Sequence, residues 1–329
     1  MKRLRLNILV IFIVGTISIQ MVAQQQPIFN HYMFDQYYIN PGAAGSSEKV
    51  NMVMIMRDQW GLGGGIEGAP RSSTFGVNAP FSLFGIQHAF GVDALYDELG
   101  FNLDFGLKLG YAMRFNVGTG KLGIGVKGGF LYPSLDAKWE YGEGNNSFQL
   151  EASNFESLSQ YENEFMFDMD VGVFYKTDEL YLGLSSVRVH APTFKPKRTT
   201  NTNTLSYDYV RHFYFTTGYS VYLPNPAFEI LPSFIIRSDG KLLNFDLNTM
   251  VLYNKKIWGG LSYRNDIVSY GMVFFGLELM ESLKFGFSYE IPSGDIQKFT
   301  GGSLEVLVNY SFTLSKEKTT QRYKSIRYL

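Results

Sequence analysis

The stretch that decides the fold is residues 101–116, which read Phe-Asn-Leu-Asp-Phe-Gly-Leu-Lys-Leu-Gly-Tyr-Ala-Met-Arg-Phe-Asn. Every second residue, from Phe101 onward, is apolar or aromatic, and the residues between them include Asp104, Lys108 and Arg114. This period of two predicts a strand. The strand is longer than most strands of soluble sheets, and a continuous apolar face opposite a charged face is typical of a strand between lipid and a polar lumen.

The composition excludes several classes of function. The chain has 329 residues, a formal net charge of -1 at pH 7 and 18% charged residues, so it lacks the basic excess of a nucleic-acid-binding protein. It contains no cysteine, which excludes disulfides, thiolate metal sites, a cysteine nucleophile and lipid attachment at an N-terminal cysteine.

The first 23 residues have the pattern of a signal peptide. Lys2, Arg3 and Arg5 precede an apolar run over residues 6–19, which is too short to span a membrane as a helix. We expect cleavage after Ala23. Export combined with amphipathic strands predicts the outer membrane, because a closed barrel pairs all its backbone groups and has no edge.

Alternating hydrophobicity predicts about 14 strands. They cover residues 50–57, 71–80, 86–96, 101–116, 121–132, 164–177, 180–188, 207–223, 227–237, 242–253, 257–264, 268–279, 283–291 and 303–314. Short turns alternate with connections that include long ones at 58–70, 133–163, 189–206 and 292–302. An even strand number, short periplasmic turns and longer outer loops are typical of single-chain bacterial barrels. We therefore predict an all-β, transmembrane antiparallel β-barrel over residues 48–314 with both termini in the periplasm.

Two segments flank this barrel. Residues 24–47 are rich in aromatic side chains, do not alternate and end in turn-forming residues, so we interpret them as a non-barrel segment on the periplasmic side. Residues 315–329 are basic and are predicted to be a periplasmic tail, either a solvated terminus or a docking peptide.

The charges predicted to face the lumen admit two interpretations. They include Asp104, Lys108, Arg114, Asp168, Asp170, Lys284 and Glu290. They either form a selective pore or close a narrow lumen as cross-strand ion pairs. The mixture of signs favours ion pairs, because a selectivity filter usually concentrates one sign.

Catalytic signatures are weak. The GxGxxG match at residues 118–123 is followed by strand-like alternation rather than by the helix that a dinucleotide site needs. The four histidines, His31, His88, His190 and His212, are not at metal-ligand spacing. A barrel hydrolase using a serine and His212 is the minor alternative; we expect no enzyme activity, cofactor or metal.

Several motifs in the first part of the chain resemble one known family. In order, they are residues 29–32 (Phe-Asn-His-Tyr), 38–45 (Tyr-Ile-Asn-Pro-Gly-Ala-Ala-Gly), 57–60 (Arg-Asp-Gln-Trp), 68–71 (Gly-Ala-Pro-Arg) and 79–80 (Ala-Pro). They resemble the start of the PorP/SprF family of type IX secretion system membrane proteins. Further matches cover nearly the whole mature chain, including residues 170–176 and 323–329. The chain departs from the family at Gly42, where alanine is usual, and at Leu304, where histidine is usual.

The resemblance implies an outer-membrane barrel similar to fatty-acid transporter barrels, without catalysis, acting in type IX secretion and gliding. Family members work with periplasmic ring or peptidoglycan-binding proteins, or with one large surface adhesin that needs its barrel for export and anchoring. We expect an exported partner at residues 133–163 and 189–206, and periplasmic components at 24–47 and 316–329. The expected partner-binding residues are Phe29, Tyr32, Asn40, Pro41, Arg57, Asp58, Trp60, Lys316, Lys318, Arg322, Lys324 and Arg327. The alternative function is a channel for a hydrophobic or small solute.

Overall fold

The structure, a computed structural model, describes residues 26–62, 68–100, 102–135, 165–194, 207–266, 268–280 and 282–313. The strands are β1 Val50–Asp58, β2 Arg71–Leu83, β3 Ile86–Leu99, β4 Asn102–Val117, β5 Gly120–Leu135, β6 Met166–Lys176, β7 Leu180–Val187, β8 Thr193–Phe194, β9 Tyr207–Asp208, β10 His212–Tyr219, β11 Val221–Tyr222, β12 Phe228–Ser238, β13 Leu243–Tyr253, β14 Ile257–Asn265, β15 Tyr270–Met280, β16 Leu283–Pro292 and β17 Ser303–Phe312. A helical turn, α1, covers Gln36–Ile39, and 3-10 turns cover Pro41–Ala43 and Gly294–Lys298. None of the helices in these ranges is long and apolar enough to cross a bilayer.

Fourteen strands form a closed antiparallel barrel. Strands β1 to β7, β10 and β12 to β17 pair with their neighbours in chain order, and pairing of β1 with β17 closes the ring. Strands β8 and β9 form a separate small hairpin, and β11 adds to the edge of β12. The prediction of an all-β antiparallel barrel of about 14 strands is confirmed.

The alternation in the sequence becomes the two faces of the wall. On the outer face, Leu109, Leu184 and Leu261 are each more than 60% exposed, at 64%, 62% and 66%. On the inner face, Asp170 and Glu290 are fully buried. The outer face suits contact with lipid, where an unpaired charge near the bilayer midplane costs about 2 to 4 kcal/mol.

The two ends of the barrel differ in their connections. At one end, called the short-turn end, the strands are joined by turns such as residues 84–85, 118–119 and 254–256. At the other, called the long-connection end, the connections include residues 59–70, 136–165 and 293–302. This is the asymmetry predicted from the sequence.

The predicted strand at 207–223 is the clearest difference in the wall. It is divided into β9, β10 and β11, with residues 209–211 outside any strand. Tyr209 leaves the ladder because its hydroxyl donates to Asp104 at 2.8 Å and its ring lies 4.7 Å from the Arg188 guanidinium. Side-chain contacts in the lumen therefore override the alternating pattern there.

The lumen contains residues 26–46, which we call the plug. Barrels of about eight strands fill their lumen with wall side chains, whereas porins of roughly 16–18 strands keep an aqueous channel, so a 14-stranded barrel has room for a segment of chain. A core of Phe29, Tyr38 and Ile39 from the plug packs against Ile55 and Leu307 of the wall. The interpretation of residues 24–47 as a segment on the periplasmic side is corrected for residues 26–46, which the structure places inside the barrel. The sequence did not reveal this because the plug has no periodicity.

Candidate functional site: a plugged lumen with two different ends

The plug runs through the lumen from the long-connection end to the short-turn end. It begins at Gln26, which accepts a hydrogen bond from the Tyr214 hydroxyl at 2.9 Å. It ends near Gly45, whose amide donates to Asn78 at 2.9 Å. Glu48, next to the start of β1, pairs with Lys121 at the short-turn rim. This hydrogen bond holds the pKa of the Glu48 carboxyl below its ordinary value.

The first half of the plug is anchored by a cluster of buried charges, which we call the arginine network. Its members are Arg57, Arg237, Arg264, Asp246, Glu290 and Glu305, each no more than 5% exposed. Arg264 contacts Asp246 at 2.9 Å and Glu290 at 3.3 Å, Arg237 contacts Asp246 at 2.6 Å, and Arg57 contacts Glu290 at 3.0 Å. Three cations face three carboxylates, so the network is balanced in formal charge.

Asn30 and His31 connect the plug to this network. The backbone amides of Asn30 and His31 donate to the Glu305 carboxylate at 2.7 and 2.8 Å. The Asn30 side-chain oxygen accepts from Arg57 at 2.8 Å and from Arg264 at 2.9 Å. Because hydrogen bonds to charged groups are stronger than neutral ones, these contacts hold the plug firmly to β1, β14 and β17.

A second cluster, the lysine network, lies on the opposite wall, on β3 to β6 and on the residue that follows β7. Its members are Lys108, Lys127, Arg188, Asp93, Asp168 and Asp170. Lys108 contacts Asp168 at 2.7 Å and Asp170 at 2.8 Å. Lys127 pairs with Asp93 and donates to the carbonyls of Tyr37 and Tyr38 at 3.1 and 2.9 Å. The plug is thus held between two charge-balanced networks.

The second half of the plug lies in a groove of wall glycines. A Cβ at Gly123 would collide with the Gly42 carbonyl oxygen, one at Gly125 with the Pro41 carbonyl, and one at Gly172 with the Asn40 side chain. Asn40 also donates to the Val173 carbonyl at 3.0 Å and accepts from the Gly42 amide at 2.9 Å. Only glycine gives the plug backbone this close an approach to β5 and β6.

The structure changes the interpretation of five predicted partner-binding residues. Phe29, Tyr32, Asn40, Pro41 and Arg57 are buried in the lumen, where they hold the plug and are not accessible to a partner that approaches from outside. The motif residues at these positions therefore have packing roles that sequence spacing alone did not show.

Other predicted site residues lie at the barrel ends. Asp58 is at the long-connection rim beside Arg71, 3.9 Å away, and Trp60 is next to it with a positive φ of 62°. The predicted basic residues of the C-terminal tail lie outside the described residues; they are Lys316, Lys318, Arg322, Lys324 and Arg327. Trp60 and Asp58 are therefore partly exposed at this rim.

The predicted lumen charges lie on the inner face. Lys108, Asp168, Asp170 and Glu290 belong to the two networks. Arg114 donates to the carbonyls of Gly42 and Ala44 at 3.3 and 3.4 Å. Asp104 accepts from Tyr209, and Lys284 lies near the short-turn end, 3.7 Å from Glu278. Their arrangement is that of ion pairs and plug contacts.

Sequence reasoning missed the plug contacts of Asn30, His31 and Glu305 and the arginines at 237 and 264. A signal was present for the arginines, since both occupy lumen-facing positions of alternating strands. No signal in the sequence pairs Asn30 with Glu305, because they are separated by 275 positions.

The larger cavities among the described residues include one on each side of the plug. The cavity at the long-connection end has a volume of about 270 Å³ and is bordered by Gln26, Trp60 and Tyr270. The cavity at the short-turn end, which we call the vestibule, has a volume of about 660 Å³ and is bordered by Phe34, Ser47 and Trp258. Among the described residues, the plug occupies the lumen between these two recesses.

The direction of the plug predicts which cysteines react from each side of the membrane. The chain has no cysteine, so single substitutions report one site. With the long connections outside, Gln26→Cys should react with a small, charged thiol reagent added to intact cells, because position 26 borders the outer cavity. Ser47→Cys borders the vestibule and should react only after the outer membrane is permeabilised. The reverse pattern would show that the plug, or the whole barrel, has the opposite orientation.

Comparisons with known proteins place this architecture. The family described as "Type IX secretion system membrane protein PorP/SprF" matches residues 21–310. No curated protein sequence matches the chain. Similar solved structures include the CymD monoaromatic hydrocarbon channel, with a TM-score of 0.48 and 10% identity over 90% of this chain and 95% of that one. The Ralstonia pickettii toluene transporter TbuX has a TM-score of 0.46 and 8% identity over 83% of this chain and 92% of that one. The Acinetobacter baumannii outer membrane protein Omp33 is also similar, with a TM-score of 0.44 and 8% identity over 80% of this chain and 97% of that one. Because these similarities are distant, the barrel fold is assigned from the strand pairing of this chain alone.

Proposed function

The chain belongs to the PorP/SprF family of type IX secretion system membrane proteins, and from this premise we propose that it works through its two ends and not through its lumen. At the outer end it binds a large secreted, adhesin-like protein and helps to export it or anchor it at the cell surface. At the periplasmic end it links the barrel to ring or peptidoglycan-binding components of the secretion and gliding machinery.

The observation that carries this proposal is the lumen filled by the plug. The plug is fixed by the arginine network on one wall, by the lysine network on the other and by the glycine groove of β5 and β6. A folded or extended polypeptide cannot pass through a lumen filled in this way. A role in secretion therefore has to use surfaces at the rims.

The long-connection rim has the rigidity that a docking surface needs. Leu62, in the β1 to β2 connection, exchanges backbone hydrogen bonds with residues 301 and 302 of the β16 to β17 connection, at 2.8 Å and 3.5 Å. The Thr300 hydroxyl donates to the Trp60 carbonyl at 3.0 Å. The two connections therefore support each other and hold Trp60 at the rim.

Purification from mild detergent tests the proposal. We expect the full chain to co-purify with a large exported protein and with periplasmic components. Deletion of residues 316–329 should remove the periplasmic components only, and deletion of 195–206 should weaken the exported partner only. If all three forms recover the same proteins, and secretion and surface attachment are unchanged, the proposed surfaces are wrong.

The alternative, a channel for a hydrophobic or small solute, is favoured by one observation, the vestibule of about 660 Å³ with apolar residues in its lining. The plug lies between this recess and the cavity at the long-connection end. A channel function would therefore require the plug to leave its two charge networks.

A further inference from the structure

The vestibule is lined by both polar and apolar side chains. The apolar ones are Met33, Phe34, Leu231, Met250, Leu252 and Trp258. Met250 and Trp258 are 4% and 3% exposed, so they are packed into the wall of the cavity. Its volume of about 660 Å³ falls within the roughly 300–1,000 Å³ of small-molecule sites.

The charges around the vestibule are not fully compensated. Its lining contains Lys49, Lys176, Lys255 and Lys284 against Glu179, Glu229 and Glu278. Lys284 is 3.7 Å from Glu278, and Glu179 accepts from the Tyr219 hydroxyl at 2.7 Å. Lys176 donates to the Ser46 carbonyl at 3.4 Å, and neither Lys49 nor Lys176 has a carboxylate partner in the part of the chain that is described.

The vestibule also reaches an interruption in the barrel wall. Strands β10 and β12 are paired up to Gly218 and Ser233, and pairing resumes between Val221 and Ile230 of β11 and β12. Pro232 lies in this gap, and since proline has no N–H it cannot complete the ladder. Ser220, Leu231 and Pro232 all border the cavity, so the recess meets the wall where its backbone pairing is interrupted.

We propose that the vestibule binds the acyl chain of an anionic amphiphile. The chain packs against Leu231, Met250 and Trp258, and the anionic head group lies beside Lys49 and Lys176 at the rim. An apolar chain gains free energy by leaving water, and the two lysines select a negative head group over a positive one. A free fatty acid and an anionic phospholipid of the surrounding leaflet share this chemistry.

The test uses Trp258 as a reporter within the full chain. The protein has three tryptophans, so Trp60→Phe and Trp139→Phe leave Trp258 as the single fluorophore. Purified protein is titrated with dodecanoate brominated at its terminal carbons. Saturable quenching is expected, and the Lys49→Gln, Lys176→Gln double variant should raise the dissociation constant at least about tenfold. Lys298→Gln, in the connection at the opposite end, should leave it unchanged.

Two further arms identify the ligand. A brominated dodecyl trimethylammonium cation should bind at least about tenfold more weakly than the carboxylate. In nanodiscs, lysine-dependent quenching by brominated phosphatidylglycerol would support the membrane as the source, and its absence alongside dodecanoate binding would support a free fatty acid. Absence of saturable quenching by both anions, equal binding of the cation, or no effect of the lysine substitutions would overturn the proposal. Because Lys49 and Lys176 lie at the rim, their substitution should leave the barrel folded. A higher dissociation constant of the double variant therefore reports weaker binding.

Discussion

Asp246→Asn should destabilise the barrel by about 3–5 kcal/mol, the cost of removing one partner from a buried ion pair. Asp246 is 1% exposed and accepts hydrogen bonds from Arg237 at 2.6 and 3.2 Å and from Arg264 at 2.9 and 3.1 Å. The neutral amide side chain would remove one negative charge from the network. The buried arginines would then exceed the buried carboxylates by one charge. Urea unfolding of the purified barrel in lipid vesicles measures the change.

Asp58→Asn is the matched control, because it makes the same chemical change at the rim. The Asp58 side chain is 47% exposed and its partner Arg71 is 68% exposed, at a distance of 3.9 Å. Exposed pairs contribute roughly 0–1 kcal/mol, so this variant should unfold near the wild-type midpoint. Equal effects of the two substitutions would contradict the role given to the arginine network.

Gly125→Val should displace the second half of the plug. A Cβ at position 125 meets the Pro41 carbonyl and lies 2.7 Å from the Gly42 amide nitrogen, and both contacts are with backbone that has no rotamer to change. Overpacking usually costs about 1–3 kcal/mol and occasionally more, and the upper end is expected here. Limited proteolysis should cut the variant within residues 26–46, a region whose burial should protect it in the wild type.

Gly271→Val controls for adding the same side chain to a barrel strand. No atom lies within 4 Å of a Cβ at this position, and Gly271 is on the exposed face of β15. The substitution should leave both the unfolding midpoint and the proteolytic pattern unchanged. If Gly125→Val behaves like Gly271→Val, the plug is not seated in the glycine groove.

Much of the barrel was predictable because its determinants are local. Alternation in β4 and in β16 defines the two faces of each strand, and the turn lengths define the two ends. A strand needs only its own sequence to show which residues face lipid. The difference at β9 to β11 arose where Tyr209 makes contacts that no local pattern encodes.

The plug was not predictable because its determinants are not local. Its contacts are made one residue at a time with partners far away in sequence, as Asn30 with Glu305 shows. A segment with buried aromatic and amide side chains but no period resembles a loop when it is considered alone. The plug contacts of Asn40 and Arg57 were missed on the same point, since their partners, the Val173 carbonyl and Glu290, are on distant strands.

The central claim is that the plug seals the lumen, and the electrical conductance of the purified protein in a planar bilayer tests it most directly. Wild-type protein should show no conductance above the background of the bilayer. A variant lacking residues 26–46 should conduct, because a barrel of 14 strands without a plug encloses an aqueous path, as the larger porins do. Stable, stepwise conductance of the wild type equal to that of the deletion variant would contradict the account.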